Sequence, residues 1–163
     1  MTIYYTGRGD KGKSEMGAKK IAKDDPLFEA LGALDELNSW LGFCNYKSLK
    51  RIQETLFIAQ AELGTYSKLR VTAEKTRELE SEILKIDKIV PQIKKFIIPG
   101  GSELSTKLDY ARALARRAER AGVKAHVSPE LLQYLNRLSS YLFALARLAN
   151  FRLKLREENP KYK

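Results

Sequence analysis

Ser102-Glu103-Leu104-Ser105-Thr106-Lys107-Leu108-Asp109-Tyr110-Ala111-Arg112-Ala113-Leu114-Ala115-Arg116-Arg117-Ala118-Glu119-Arg120 is the stretch that decides the architecture. Leu104, Leu108, Ala111, Ala115 and Ala118 recur at alternating steps of four and three, the period of one helix face. The small residues of that seam let a neighbouring helix approach closely. Downstream, Ser128-Pro129-Glu130 reads as a cap followed by proline and opens a helix with the seam Leu131, Leu135, Leu138, Leu142, Leu145 and Ala149. Upstream, Pro91 and then Pro99-Gly100-Gly101 interrupt the pattern, so a loop precedes the stretch. Before that loop, Asp24-Asp25-Pro26 starts a helix through Leu27, Ala30, Leu34, Leu37 and Leu41. A second helix is expected over about 48–70, through Ile52, Leu56, Ala59 and Leu63, and a third, highly charged one over about 72–89.

Five helices of roughly 18 to 28 residues joined by short loops predict an all-α fold, a five-helix up-and-down bundle. The domain plan is a glycine-rich N-terminal arm over 1–25, the helical bundle over 26–157 and a tail over 158–163 expected to fray. With 163 residues, 44% hydrophobic and 31% charged, the chain has the composition of one globular domain. No apolar run reaches the roughly 18 residues that span a bilayer, and Met1-Thr2-Ile3-Tyr4-Tyr5 is no signal peptide, so a cytoplasmic location is expected. A single cysteine, Cys44, excludes an internal disulfide, and a single histidine, His126, leaves little for a transition-metal site. The net charge of +10 is spread along the chain and interleaved with carboxylates, a poor match to a nucleic-acid footprint.

Two constellations carry candidate chemistry. Polar residues lie one position, about 100°, from the apolar seams on three helices. They are Asp35 and Asn38 on the first, Asp109, Arg112, Arg116 and Glu119 on the fourth, and Asn136, Ser139, Arg147 and Asn150 on the fifth. Such stripes are commonly solvated i,i+4 pairs, but Arg and Asp beside a core seam also suit a bundle interior or a subunit interface. The second constellation is Gly7-Arg8-Gly9-Asp10-Lys11-Gly12-Lys13-Ser14, which fits the letters of both G-x-G-x-x-G and the P-loop. Both motifs need a parallel βαβ sheet, for which no later strand run exists. What survives is local: glycines let backbone N–H groups converge on phosphate, Thr6, Lys11, Lys13 and Ser14 can donate, and Asp10 can hold a magnesium shell. The alternatives are a P-loop-like ATPase or kinase and a non-catalytic basic helical binding module. A ferritin-like metal oxidase is excluded, since Val123 stands three residues before the only histidine.

Six motifs in order extend this. They are 6–12 in the arm, Lys23-Asp24-Asp25, 29–39 with Asp35 and Asn38, Pro99-Gly100-Gly101, Ala111-Arg112 with 116–120, and Tyr134-Leu135-Asn136-Arg137-Leu138-Ser139. Over residues 4 to about 148 the chain resembles the PduO-type ATP:cob(I)alamin adenosyltransferases. The resemblance implies a homotrimer with ATP between subunits, transfer of the 5′-deoxyadenosyl group of ATP to the cobalt of reduced cobalamin, release of triphosphate, and magnesium. It further implies that Thr6, Gly7, Gly9, Asp10, Gly12, Ser14 and Lys23 hold the triphosphate, with Arg116, Glu119 and Asn136 at the nucleotide. It pairs Arg112 with Asp35 across the interface and sets Phe96 against the corrin. No protein metal site is implied; a corrinoid reductase or an adenosylcobalamin-dependent enzyme is a possible partner, nucleic acid and membrane are not. Asp109 and Ser140 depart from the family's usual His and Asp.

Overall fold

The structure is a computed structural model and describes residues 4–5, 7–16, 19–64 and 68–162. After the arm come α1 (Pro26–Phe43), α2 (Lys50–Leu63), α3 (Ala73–Asp87), α4 (Glu103–Lys124) and α5 (Pro129–Arg152), with a short 3-10 turn, Lys47–Leu49, leading into α2. The principal contacts run α2–α1–α4–α5–α3, so α4 and α5 are the central pair. The bundle interior is formed by leucines of every seam, among them Leu34, Leu37, Leu56, Leu79, Leu108 and Leu138, together with the buried Tyr134 and Tyr141. Among the described residues, no helix is long and apolar enough to cross a membrane.

The starts expected from sequence are made by the residues that signal them. Asp25 accepts the Leu27 N–H at 2.9 Å with Pro26 in the first turn, Ser102 accepts from Ser105 at 3.1 Å, and Ser128 accepts from Leu131 at 3.3 Å. Ser128 also donates to Glu62 Oε1 at 2.6 Å, while Glu62 Oε2 accepts the Val71 N–H at 2.8 Å. One carboxylate thus ties the end of α2 to the entry of α3 and the cap of α5. The α4 end is a Schellman turn: Val127 N–H donates to Gly122 at 3.2 Å, His126 N–H to Val123 at 3.2 Å, and His126 takes a left-handed φ of 52°.

Three expectations change. The second helix stops at Leu63 rather than near 70, with Gly64 as a right-handed cap residue whose N–H still donates to the Gln60 carbonyl at 2.8 Å. The helices accordingly run from 14 to 24 residues, shorter than the 18 to 28 read from periodicity. The arm contains an antiparallel hairpin, β1 (Lys13–Met16) with β2 (Lys19–Ala22), in the register Lys13↔Ala22 and Met16↔Lys19. The tail does not fray before residue 160. After α5, Lys154 at φ 56° makes a second Schellman turn, with Leu155 N–H donating to Asn150 and Lys154 N–H to Phe151, both at 3.0 Å. The chain then runs back along the loop between α3 and α4, where Ile98 N–H donates to Glu158 at 2.8 Å.

Candidate active site

A cleft of about 720 Å³ opens where that loop faces α4 and α5. Arg112 and Arg116, one turn apart on α4, form one wall, and Ser139, Ser140 and Phe143 of α5 another. Ile93, Phe96, Ile97 and Pro99 of the loop, with Lys94 and Lys95, form the third. The cavity combines apolar and aromatic surface with two permanent cations, which suits a large ring carrying a polyanion beside it. Phe96 is 79% exposed, so its ring is offered to the cleft and not committed to the core.

The loop is fixed through its backbone. Asn150, buried on α5, donates from Nδ2 to the Gly100 carbonyl at 2.8 Å and accepts the Ser102 N–H on Oδ1 at 2.9 Å. Ser105 adds a second donor to the Gly100 carbonyl at 3.0 Å. Gly101 sits against the same amide: a Cβ there would lie 2.6 Å from Asn150 Oδ1 and Nδ2, and its φ is +105°. Asp109 accepts the Gly100 N–H at 3.1 Å and stands 3.8 Å from Arg112 Nε. Burial raises the Asp109 carboxyl above its ordinary value, against the pull of that N–H and of Arg112. At the other end of the loop, Arg147 Nη2 donates to the Pro91 carbonyl at 2.7 Å.

Of the expected site residues, the structure brings Phe96, Arg112 and Arg116 to one cleft. Glu119 and Asn136 meet beside it, the Asn136 amide donating to Glu119 Oε1 at 2.8 Å and joining α4 to α5. In the arm, Asp10 N–H donates to Gly7 and Gly12 N–H to Gly9, and Lys23 closes the loop by donating its N–H to Gly12 at 2.9 Å. The Lys23 ammonium reaches to 2.9 Å from where a Gly9 Cβ would stand, so glycine at that position makes room for the cation. Gly7, Gly9, Asp10, Gly12 and Lys23 therefore form one compact turn, with Ser14 following on β1; Thr6 lies outside the described residues. A strand, not a helix, follows the glycines, which is incompatible with both P-loop and Rossmann geometry. Asp35 is exposed on α1 and makes no ion pair among the described residues; neither it nor the arm lines the cleft of its own chain.

Periodicity gave no warning of the clamp made by Asn150, Arg147 and Asp109. These were legible only as a polar stripe, and the one available signal was the Gly100-Gly101 pair, which demands a close neighbour. Phe143 was absent from the expected site, and Ser140 entered it only as a departure from the family's usual Asp.

Bundle and cleft together define an all-α bundle protein with an apolar, arginine-walled cleft. The structure of a phenylalanine-to-histidine variant of the PduO-type ATP:corrinoid adenosyltransferase from Lactobacillus reuteri, complexed with cobalamin and ATP, superposes with a TM-score of 0.92 at 34% identity, covering 97% of this chain and 96% of that one. A Bacillus subtilis corrinoid adenosyltransferase is 36% identical over 91% of this chain and 86% of its own length. The PduO corrinoid adenosyltransferase of Citrobacter freundii is 38% identical over 88% of this chain, which spans only 48% of that longer protein. The cobalamin adenosyltransferase family matches residues 4–149, and the chain belongs to it.

Proposed function

We propose that the chain transfers the 5′-deoxyadenosyl group of ATP to the cobalt of a reduced corrinoid, forming adenosylcobalamin and triphosphate. The observation that carries this reading is the pairing, across one cleft, of the exposed Phe96 with Arg112 and Arg116. The reaction balances without a protein base. The lone pair of Co(I) forms the bond to C5′, the C5′–O bond breaks, the triphosphate leaves with that electron pair, and cobalt passes formally from Co(I) to Co(III). Charge grows on the leaving triphosphate, so Arg116, a permanent bidentate donor, favours the transition state over the ground state. The rest is positioning C5′ in line with the metal and excluding water.

Phe96 acts on the reduction that precedes transfer, in which an external one-electron donor converts Co(II) to Co(I). A ring over the corrin occupies the place of an axial ligand but cannot coordinate, and losing that ligand destabilises Co(II) relative to Co(I). Glu119 and Asn136 contact the nucleoside; Gly7, Gly9, Asp10, Gly12, Ser14 and Lys23, with Thr6, cradle the triphosphate, and Mg2+ accompanies it. The functional division is therefore an arm over 1–25, a bundle over 26–157 and a tail over 158–163.

The arm reaches the cleft of a neighbouring chain in a homotrimer, where Arg112 meets Asp35 of the next subunit. Three features support this arrangement. Arm and cleft are separate within one chain, Asp35 is solvent-facing, and the α1–α4 face shows the ring group Trp40, Phe43 and Tyr110, with Phe43 58% exposed. A cytoplasmic setting suits ATP and low-valent cobalt alike.

Arg116→Ala is expected to reduce transfer to pre-reduced corrinoid at least about 100-fold while the oligomer persists; near-normal turnover would remove Arg116 from the phosphate. Phe96→Ala is expected to bind ATP normally and to lose most activity when corrinoid is supplied as Co(II). Equal rates from Co(II) and Co(I) would contradict the axial role.

A further inference from the structure

Side chains of the loop carrying Phe96 are exposed from residue 91 through 96, so burial does not hold this segment in place. Its fixed points are hydrogen bonds, and those nearest Phe96 come from the C-terminal tail. Asn159 Nδ2 donates to the Phe96 carbonyl at 2.7 Å, and Ile98 N–H donates to the Glu158 carbonyl at 2.8 Å. The tail is itself anchored by Glu157, which accepts both Arg147 Nε at 2.7 Å and Arg147 Nη2 at 3.0 Å in a two-pronged pair. Arg147 is only 6% exposed, and the same Nη2 donates to Pro91 at the start of the loop. One buried guanidinium therefore ties together the loop's origin and the segment that grips its tip.

We propose that residues 157–159 are a strap that positions the Phe96 ring for the reduction of bound Co(II) corrinoid to Co(I) by one electron from an external donor, such as a reduced flavin, with Arg147 as its anchor. This rests on the reading of Phe96 as the residue facing the corrin. A ring that must exclude an axial ligand has to be held within a fraction of an ångström, and an exposed loop reaches that precision only if its backbone is clamped. Asn159 and Glu157 are thus positioning residues: neither lines the cleft, and they act through the main chain at Phe96 and Ile98.

The experiment uses the full-length protein with Asn159→Ala and Glu157→Gln, singly and combined, beside Phe96→Ala. Asn159 is exposed, so its replacement spares the core, and Gln keeps the shape of Glu157. Hydrogen exchange at the Ile98 amide reads the strap without any corrinoid, and the absorption spectrum of cob(II)alamin bound with ATP reads loss of its axial ligand. The combined variant is expected to exchange the Ile98 amide at least about tenfold faster. It should also lower the rate from Co(II) about tenfold. Its KM for ATP should be unchanged and its rate from pre-reduced Co(I) within about twofold of the unmodified protein. Unchanged exchange at Ile98 would overturn the strap. Faster exchange with an unaltered Co(II) spectrum, when Phe96→Ala does alter it, would overturn its role in reduction. If Phe96→Ala itself leaves the spectrum unaltered, the reading of Phe96 fails and the strap's function falls with it.

Discussion

Phe96 shows 79% of its surface to solvent, and what distinguishes it from the other exposed aromatic side chains is that it faces the two arginines across the cleft. Asp109 is a second residue out of its ordinary environment. Burial raises its carboxyl, so between the unfolded and folded values the native state binds more proton than the unfolded chain. Stability from this group is therefore present at low pH and declines as pH rises through that window. Asp109→Asn keeps an acceptor for the Gly100 N–H and removes the buried charge. It is expected to melt at a higher temperature than the unmodified protein near neutral pH, with the gain vanishing below about pH 4, where the unfolded carboxyl becomes protonated too. Identical pH profiles in thermal melts would contradict the burial argument. Gly101→Ala tests the clamp from the other side: a Cβ 2.6 Å from the Asn150 amide, on a backbone at φ +105°, is expected to cost about 2 kcal/mol or more in denaturant unfolding.

Helix beginnings were readable because they are local chemistry. Asp25-Pro26, Ser102 and Ser128-Pro129 cap within three residues of themselves, and the seams they open have a fixed period. Ends were less readable: α2 stops at Gly64, and the chain beyond is captured by Glu62, which a scan of apolar spacing does not see. The hairpin Lys13–Met16 with Lys19–Ala22 escaped because its first strand is nearly all polar, with Met16 alone buried. The loop's clamp escaped because Asn159 meets Phe96 across 63 residues and Arg147 meets Pro91 across 56. Arg112 and Arg116 were legible from spacing as part of the polar stripe beside the fourth helix's seam, whereas their roles, and Phe96 altogether, came only from the family resemblance. Both Schellman turns carry a side chain where glycine is favoured, so His126→Gly is expected to stabilise the α4–α5 connection by about 1 kcal/mol. A fall in stability would show that the His126 side chain contributes more than its backbone strain removes.

At the scale of the molecule, the arm's phosphate-suited turn and the cleft's arginines are parts of one site only if chains associate. Light scattering is expected to give a mass three times that of one chain, and Asp35→Arg, which sets like charges against Arg112 of the neighbour, is expected to weaken the trimer and transfer together. A fully active monomer would contradict the shared site. Five of the thirty basic residues, Lys23, Lys94, Lys95, Arg112 and Arg116, stand on the arm or the cleft.

The most direct measurement is anaerobic. Purified protein is mixed with ATP, magnesium and chemically reduced cobalamin, the absorption spectrum is followed, and the phosphate products are separated. Light-sensitive adenosylcobalamin with an equal amount of intact triphosphate is the predicted result. Appearance of ADP and orthophosphate without alkylated cobalt, or no reaction at all, would contradict it.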